Sequence, residues 1–155
     1  MSGKYGIYSK GWNIESLSLK SDDISNNSEK EAILFIYGSL KRDFTNYRFM
    51  TDAVYLGPGV IKGYDMYSLR YYPVIVEGKG DVYGELYKVS REKLEAIDAL
   101  EGYCPETDKG MYIRRTVEVQ TVTGSIDAEV YLWADGRDSL NGDHEHIPEG
   151  YWEEK

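Results

Sequence analysis

The amino-acid sequence predicts an α+β domain built around a small, partly open β-barrel. Two observations support this fold class. Short apolar or alternating runs separated by glycine recur from residue 31 onward, and only one segment has the spacing of a long amphipathic helix. Several strands with one main helix and many tight turns are typical of this architecture. With 155 residues, 41% of them hydrophobic, the chain is long enough for one domain with a single core.

The first 30 residues differ from the rest in composition. The segment 21–28 (SDDISNNS) resembles a linker, and few residues of this region are suited to packing. We therefore expect a polar N-terminal extension over residues 1–30 and one domain over residues 31–155.

The predicted strands follow in order along the second region. Alternation of polar and apolar residues is clearest in residues 115–122 (RTVEVQTV), which indicates a half-buried strand. Between the first two strands, the sequence Gly-Pro-Gly at 57–59 is interpreted as a turn. The strand candidates are 33–37, 63–68, 73–77, 82–89, 112–122 and 127–134.

The one predicted long helix lies in the segment SREKLEAIDALEGY, residues 90–103. Ser90 is suited to the N-cap, Glu92 lies in the first turn where the helix dipole favours a carboxylate, and Gly102 ends the helix. Glu101 then lies on the last turn, and residues 103–111 form a loop. The expected apolar face consists of Leu94, Ile97, Ala99 and Leu100.

Composition limits the classes of partner. The chain has 27 acidic and 18 basic residues and a net charge of −9, which argues against nucleic acid or an anionic membrane as the main partner. Neutral or cationic small molecules are favoured, although acidity also serves solubility alone. The single cysteine excludes an intrachain disulfide, and no apolar run near the start has the length of a signal peptide or membrane span. We expect a cytoplasmic protein.

A buried strand that runs into the turn YGSL at residues 37–40 is the first candidate for a binding site. Glycine tolerates backbone conformations that other residues avoid, so such a turn can direct backbone N–H groups at an anionic or carbonyl ligand. Taken alone, the tetrapeptide is a weak signal, and a structural turn is the default interpretation because strand-glycine turns are common in β-rich proteins.

Further short motifs follow the turn in a fixed order: YP at 72–73, GELY at 84–87, LEGY at 100–103 and YIRR at 112–115. Together these motifs resemble the γ-glutamyl cyclotransferase-like family, especially its γ-glutamylamine cyclotransferase branch and its avirulence-induced-protein-like members. The resemblance covers roughly residues 33–133. It implies a small mixed β-barrel with flanking helices and an active-site cavity at one side.

The resemblance also implies the reaction. Such enzymes release a γ-glutamyl group as 5-oxoproline and free an amine, without a metal or an organic cofactor. Glu101 matches the family's acidic residue and would be the general acid/base, whereas without the resemblance it reads as an exposed helix-end glutamate. The residues that would bind substrate are Tyr37, Gly38, Ser39, Leu40, Glu85 and Tyr112.

Two of these assignments depend on which way a side chain points. Glu85 would be a second carboxylate at the site if its face of the strand lines the cavity, and otherwise a solvent-facing residue. Tyr112 matches a family tyrosine and would hydrogen-bond the substrate or Glu101, but a buried structural tyrosine fits the sequence equally well.

The identity of the amine and the class of function leave alternatives. Because the chain is acidic and the family includes enzymes that deprotect aminoglycosides of the butirosin type, we expect a small γ-glutamyl amide with a cationic amine portion; γ-glutamyl-ε-lysine is the housekeeping alternative. A non-catalytic module that binds a γ-glutamyl metabolite is a further possibility. Cys104 is a rival nucleophile if a histidine lies nearby, whereas His144 and His146 lack a third metal ligand at suitable spacing.

Overall fold

A sheet that closes on itself is the main feature of the computed structural model, which describes residues 30–38, 40–41 and 46–153. Within these residues a single α-helix, α1, spans Arg91–Leu100, and short 3-10 helices span Tyr47–Met50 and Arg137–Ser139. The strands are β1 (Glu31–Ile36), β2 (Val54–Ser68), β3 (Pro73–Ser90), β4 (Tyr103–Cys104), β5 (Lys109–Gly110), β6 (Tyr112–Thr121), β7 (Gly124–Trp133) and β8 (Glu145–Ile147).

The strand order explains the closure. The large sheet has the order β3-β1-β7-β6-β2-β8, and β2 also pairs with β3, so that β3, β1, β7, β6 and β2 form a ring. β1 runs parallel to β7, and the other pairs are antiparallel. The prediction of an α+β domain around a small mixed β-barrel is confirmed.

The long hairpin of β2 and β3 differs from the sequence prediction. The two strands contain 15 and 18 residues and pair almost throughout, where several short strands were expected. The register shifts between Tyr55 and Gly57 and again between Lys62 and Tyr64. Gly57 and Gly63 have φ angles of 122° and 85°, which glycine adopts without strain, so the strand continues through both irregularities. The predicted turn at residues 57–59 is therefore wrong.

Two apolar clusters lie on the two faces of the ring. The first contains residues from all five ring strands and fills the interior, with Phe35, Ile61, Val82, Val119 and Val130 among its members. The second lies between the outer face and α1, and includes Leu34, Ile36, Tyr87, Leu94 and Ile97. Successive residues of β1 point alternately to the two clusters, because side chains alternate along a strand.

Helix α1 begins where the sequence predicts. The Ser90 hydroxyl accepts a hydrogen bond from the Lys93 N–H at 3.0 Å, as an N-cap should. The buried stripe was predicted only in part, because Ala99 and Leu100 are exposed and Asp98 is buried beside Leu94 and Ile97. Positions 94, 97 and 98 share one face of an α-helix, and Glu101 continues the same stripe.

Residues 103–111, predicted as a loop, include the paired strands β4 and β5. The predicted polar extension over residues 1–30 lies outside the described residues except for Lys30, so the division there stays a prediction. Among the helices of the described residues, none is long and apolar enough to cross a membrane.

Replacing Ser90 with alanine removes the N-cap acceptor of α1. We expect Ser90→Ala to lower the free energy of unfolding by about 1 kcal/mol, which for a domain of this size is a decrease in Tm of about 2–4 °C. Ser90→Asp keeps an acceptor and should keep the wild-type Tm in the same thermal scan. Equal Tm values for the alanine variant and the wild type would contradict the capping role.

Candidate active site

A small cavity lies where β1 ends against the C-terminal end of α1. Its volume is about 50 Å³, and its walls come from β1, the start of β3, the start of β6, β7 and the residue that follows α1. The lining residues are Phe35, Ile36, Tyr37, Gly38, Leu40, Tyr72, Pro73, Glu101, Tyr112 and Tyr131. Four tyrosines and one carboxylate therefore meet in a largely apolar wall.

Glu101 supplies the carboxylate of this cavity. It lies at the C-cap of α1, and Gly102, with a φ of 72°, turns the chain away behind it. The side chain is partly buried, and none of the described residues donates a hydrogen bond to it. Burial without a compensating partner disfavours the charged form, which raises the pKa of Glu101 from 4.5 to about 7. Such a group exchanges a proton readily near neutral pH.

Tyr37 and Tyr112 flank this carboxylate and direct their hydroxyl hydrogens away from it. Tyr37 Oη donates to the carbonyl of Tyr131 at 2.5 Å, and Tyr112 Oη donates to the carbonyl of Pro73 at 2.7 Å. Burial and the neighbouring Glu101 raise the pKa of both phenols well above the ordinary value, so both stay protonated. Because each hydrogen is used by the backbone, each oxygen is left to accept a hydrogen bond.

Tyr131 joins the cavity to a buried ionic cluster that sequence reasoning missed. Its hydroxyl donates to Asp98 Oδ1 at 2.6 Å, and Asp98 also accepts two hydrogen bonds from Arg114. The signal that could have located Asp98 is its helical spacing, since it precedes Glu101 by three residues on the same face.

The predicted YGSL turn lies at the cavity, as far as it is described. Tyr37, Gly38 and Leu40 line the wall, and Ser39 lies outside the described residues. The Lys41 N–H donates to the Gly38 carbonyl at 3.0 Å, which closes the turn. Gly38 packs closely against the start of β3, because a Cβ there would lie 3.2 Å from Pro73 Cγ.

Glu85 does not reach this cavity. It is buried in β3, accepts a hydrogen bond from the Tyr87 hydroxyl at 2.9 Å, and lines a second cavity of about 390 Å³. Lys41 lines the same second cavity, and its ammonium donates to the Trp152 carbonyl at 2.8 Å. The expectation that Glu85 shares a site with Glu101 is corrected, because its face of β3 points to this other cavity.

Cys104 and the two histidines, the alternative nucleophile and metal ligands, each contact other partners among the described residues. Cys104 is exposed, and its thiol lies 3.3 Å from Glu106 Oε1. His144 Nδ1 accepts from the Asn141 N–H, and His146 packs against the ring of Tyr67 with centroids 5.1 Å apart. Within the described part of the chain, no three potential ligands cluster as a metal site would require.

The fold and the cavity define the class of the protein: a small closed β-barrel whose described residues place one carboxylate in a tyrosine-lined cavity. The chain belongs to the gamma-glutamyl cyclotransferase, AIG2-like family, whose model matches residues 34–154. It is thus a gamma-glutamylcyclotransferase-like protein.

Individual proteins are similar to this chain in sequence and in structure. The gamma-glutamylcyclotransferase family protein YtfP of Escherichia coli strain K12 is 40% identical over 98 residues, which are 63% of this chain and 80% of YtfP. The solution structure of Escherichia coli YtfP has a TM-score of 0.55 at 35% identity and covers 77% of this chain and 95% of YtfP. The crystal structure of an AIG2-like protein from Mus musculus has a TM-score of 0.67 at 26% identity, covering 79% and 88% of the two chains.

The raised pKa of Glu101 also predicts a pH-dependent stability. The folded state holds the proton with a pKa of about 7 against 4.5 when unfolded, so stability is lost as pH rises through this window. Glu101→Gln removes the charge, and we expect it to be more stable than the wild type by up to about 3 kcal/mol near pH 8.5, with little difference near pH 4.

Denaturant unfolding at the two pH values measures this difference. Glu95→Gln, on the exposed face of α1, is the matched control and should show no such pH-dependent gain. A Glu101→Gln variant no more stable than the wild type at the higher pH would show that the carboxylate is not destabilised by burial.

Proposed function

We propose that this protein is a γ-glutamylamine cyclotransferase that converts a γ-glutamyl amide into 5-oxoproline and a free amine. The observation that carries the proposal is Glu101, a carboxylate in a tyrosine-lined cavity with its pKa raised to about 7 and no hydrogen-bond donor among the described residues. Membership of the gamma-glutamyl cyclotransferase, AIG2-like family supports it.

The reaction needs little from the protein, because the substrate carries its own nucleophile. The α-amino nitrogen attacks the γ-carbonyl carbon and closes a five-membered lactam. The bond from that carbon to the leaving nitrogen breaks, and one proton passes from the α-amino group to the leaving amine. Holding the substrate in the ring-closing conformer supplies much of the acceleration.

Glu101 would perform both proton transfers. As a carboxylate it takes the proton from the α-amino nitrogen during attack, and as a carboxylic acid it gives the proton to the departing amine. A group with a pKa of about 7 suits both roles near neutral pH, since neither proton state is strongly favoured.

The tyrosines around Glu101 suit the neutral α-amino group of the substrate. Tyr37 and Tyr112 each donate to a backbone carbonyl, so their oxygens face a ligand as acceptors. Together with Glu101 they form a cluster of acceptors for the N–H groups of that amine, whose lone pair attacks the γ-carbonyl carbon. The turn at Gly38 and Leu40 would hold the rest of the glutamyl portion through its backbone groups.

The negative charge of the chain is the basis on which we propose the leaving amine. The chain carries a net charge of −9, and Asp135, Asp138 and Asp143 follow the last ring strand. An acidic surface attracts a cationic amine by long-range electrostatics. A γ-glutamylated aminoglycoside and γ-glutamyl-ε-lysine both release such an amine, and we propose the first as the substrate and the second as the alternative.

Product identity tests the reaction. The full chain is incubated separately with γ-glutamyl-ε-lysine and with a γ-glutamylated aminoglycoside, and 5-oxoproline and glutamate are followed by mass spectrometry. We expect 5-oxoproline from at least one of them. Glutamate alone would show hydrolysis and favour the Cys104 alternative, and binding without any product would favour a metabolite-binding module; either result overturns the proposal.

A blocked substrate serves as the control. Acetylation of the α-amino group removes the internal nucleophile, so a cyclotransferase releases no amine from that compound. Release of amine from the blocked substrate would identify a hydrolase.

Glu101→Gln tests the proton transfer. The amide cannot accept the proton, and we expect the rate of 5-oxoproline formation to fall by about 10²–10⁴-fold. The circular dichroism spectrum should remain that of the wild type. Glu95→Gln, on the exposed face of the same helix, should keep the wild-type rate. A wild-type rate in Glu101→Gln would rule out its assignment as the acid/base.

A further inference from the structure

An ionic cluster, buried at Asp98 and partly buried at Arg114 and Glu129, lies behind the cavity. Asp98 Oδ1 and Oδ2 accept from Arg114 Nε and NH2 at 2.8 and 3.1 Å, and Arg114 NH1 donates to Glu129 Oε1 at 3.0 Å. The side chains of Asp98, Arg114 and Glu129 are 2%, 16% and 22% exposed. Thr116 donates to the second oxygen of Glu129 at 2.9 Å. The cluster thus joins α1 to β6 and β7.

This cluster is connected to the cavity at two points. Asp98 precedes Glu101 by three residues on the buried stripe of α1, a spacing that places Cβ atoms about 5–6 Å apart. Asp98 also accepts from the hydroxyl of Tyr131, whose carbonyl in turn accepts from Tyr37. The same carboxylate is therefore linked to the helix end that carries Glu101 and to the tyrosines that face it.

We propose that the ion pair of Asp98 with Arg114 is a positioning pair that sets the orientation of Glu101 and the pH at which Glu101 exchanges its proton. This inference rests on the proposed function for its catalytic meaning. Neither residue lines the cavity, so each acts on the substrate only through Glu101 and Tyr131.

Packing alone does not account for a charge at position 98. The neighbouring positions of the stripe are Leu94 and Ile97, and a buried ion pair often stabilises a fold no better than apolar residues of similar size. An aspartate in this place does give the Tyr131 hydroxyl a fixed acceptor, and it sets a defined charge near Glu101.

The charges of the cluster predict the direction in which each substitution shifts the pH of proton exchange at Glu101. One cation between two carboxylates leaves a net charge of −1 behind Glu101. Asp98→Asn makes the cluster neutral and should lower the pH of proton exchange at Glu101, whereas Arg114→Gln makes it −2 and should raise that pH. Among the described residues, the phenols of Tyr37, Tyr112 and Tyr131 line the cavity with Glu101 from the other elements. Burial raises their pKa values, so these three groups carry no charge that would mask the changes.

The experiment measures the titration of Glu101 directly. The carboxyl carbon of Glu101 is followed by NMR from acid to alkaline pH in the wild type and the variants, which requires no turnover. We expect a midpoint about 0.5–1 pH unit lower in Asp98→Asn and higher by a similar amount in Arg114→Gln. The double variant restores the net charge of −1 and should titrate close to the wild type.

Two further variants separate charge from structure. Arg114→Lys keeps the charge but loses the paired geometry, so its midpoint should stay near that of the wild type while kcat falls. Arg115→Gln removes a neighbouring arginine whose partner Asp108 is exposed, and it should change neither the midpoint nor kcat. If Asp98→Asn does not fold, the comparison of Arg114→Gln with Arg114→Lys still shows whether loss of the positive charge raises the titration midpoint of Glu101.

Shifts in the same direction in Asp98→Asn and Arg114→Gln, or no shift in either, would overturn the proposal and leave the cluster a purely structural one. The failure of the proposed function is a separate result. In that case no γ-glutamyl amide yields 5-oxoproline with the wild type, although the titration of Glu101 still responds to the two substitutions in opposite directions.

Discussion

The proposed chemistry depends on one constraint of the structure: a carboxylate is held against a largely apolar wall without a hydrogen-bond donor among the described residues. Helix α1 imposes this constraint on Glu101. The buried side chains of Leu94, Ile97 and Asp98 form one stripe along the helix, and Glu101 is the last residue of that stripe. The helix stops immediately after it at Gly102, and the Gly102 carbonyl accepts from the Met111 N–H at 2.9 Å. Glu101 is therefore held by its helix and by the contact of Gly102 with Met111, the residue between β5 and β6.

The closed sheet supplies the opposite wall of the cavity. β1 ends there, and the first residues of β3 and β6 bring Pro73 and Tyr112 to the same place. Tyrosine suits such a wall, since its ring packs in the apolar cluster while its hydroxyl satisfies a backbone carbonyl. Burying the carboxylate costs stability above neutral pH, a cost that enzymes commonly accept at their active sites.

Local features of the fold could be predicted from the sequence, and features set by distant contacts could not. The N-cap at Ser90 and the helix stop at Gly102 depend on neighbouring residues, so α1 was placed correctly. The long hairpin was missed because its irregularity next to Gly57 looks like a turn when the sequence is read locally. Register is decided by pairing across the sheet.

The same distinction holds for the site. The resemblance in the motifs at residues 37–40 and 100–103 was enough to predict a turn and a carboxylate in one place. Tyr131 and Asp98 were not found, because their roles depend on a hydrogen bond between residues 33 positions apart. Glu85 was misplaced because alternation along β3 shows that neighbouring side chains oppose each other but not which cavity each one faces.

The pH dependence of kcat/KM for 5-oxoproline formation tests most directly whether Glu101 is the proton carrier. In the wild type we expect the rate to rise with pH through a midpoint near 7, the pKa of the buried carboxylate, and we expect the residual rate of Glu101→Gln to lack this rise. A wild-type midpoint near 4.5, the ordinary value, or the same rise in the variant would contradict the assignment.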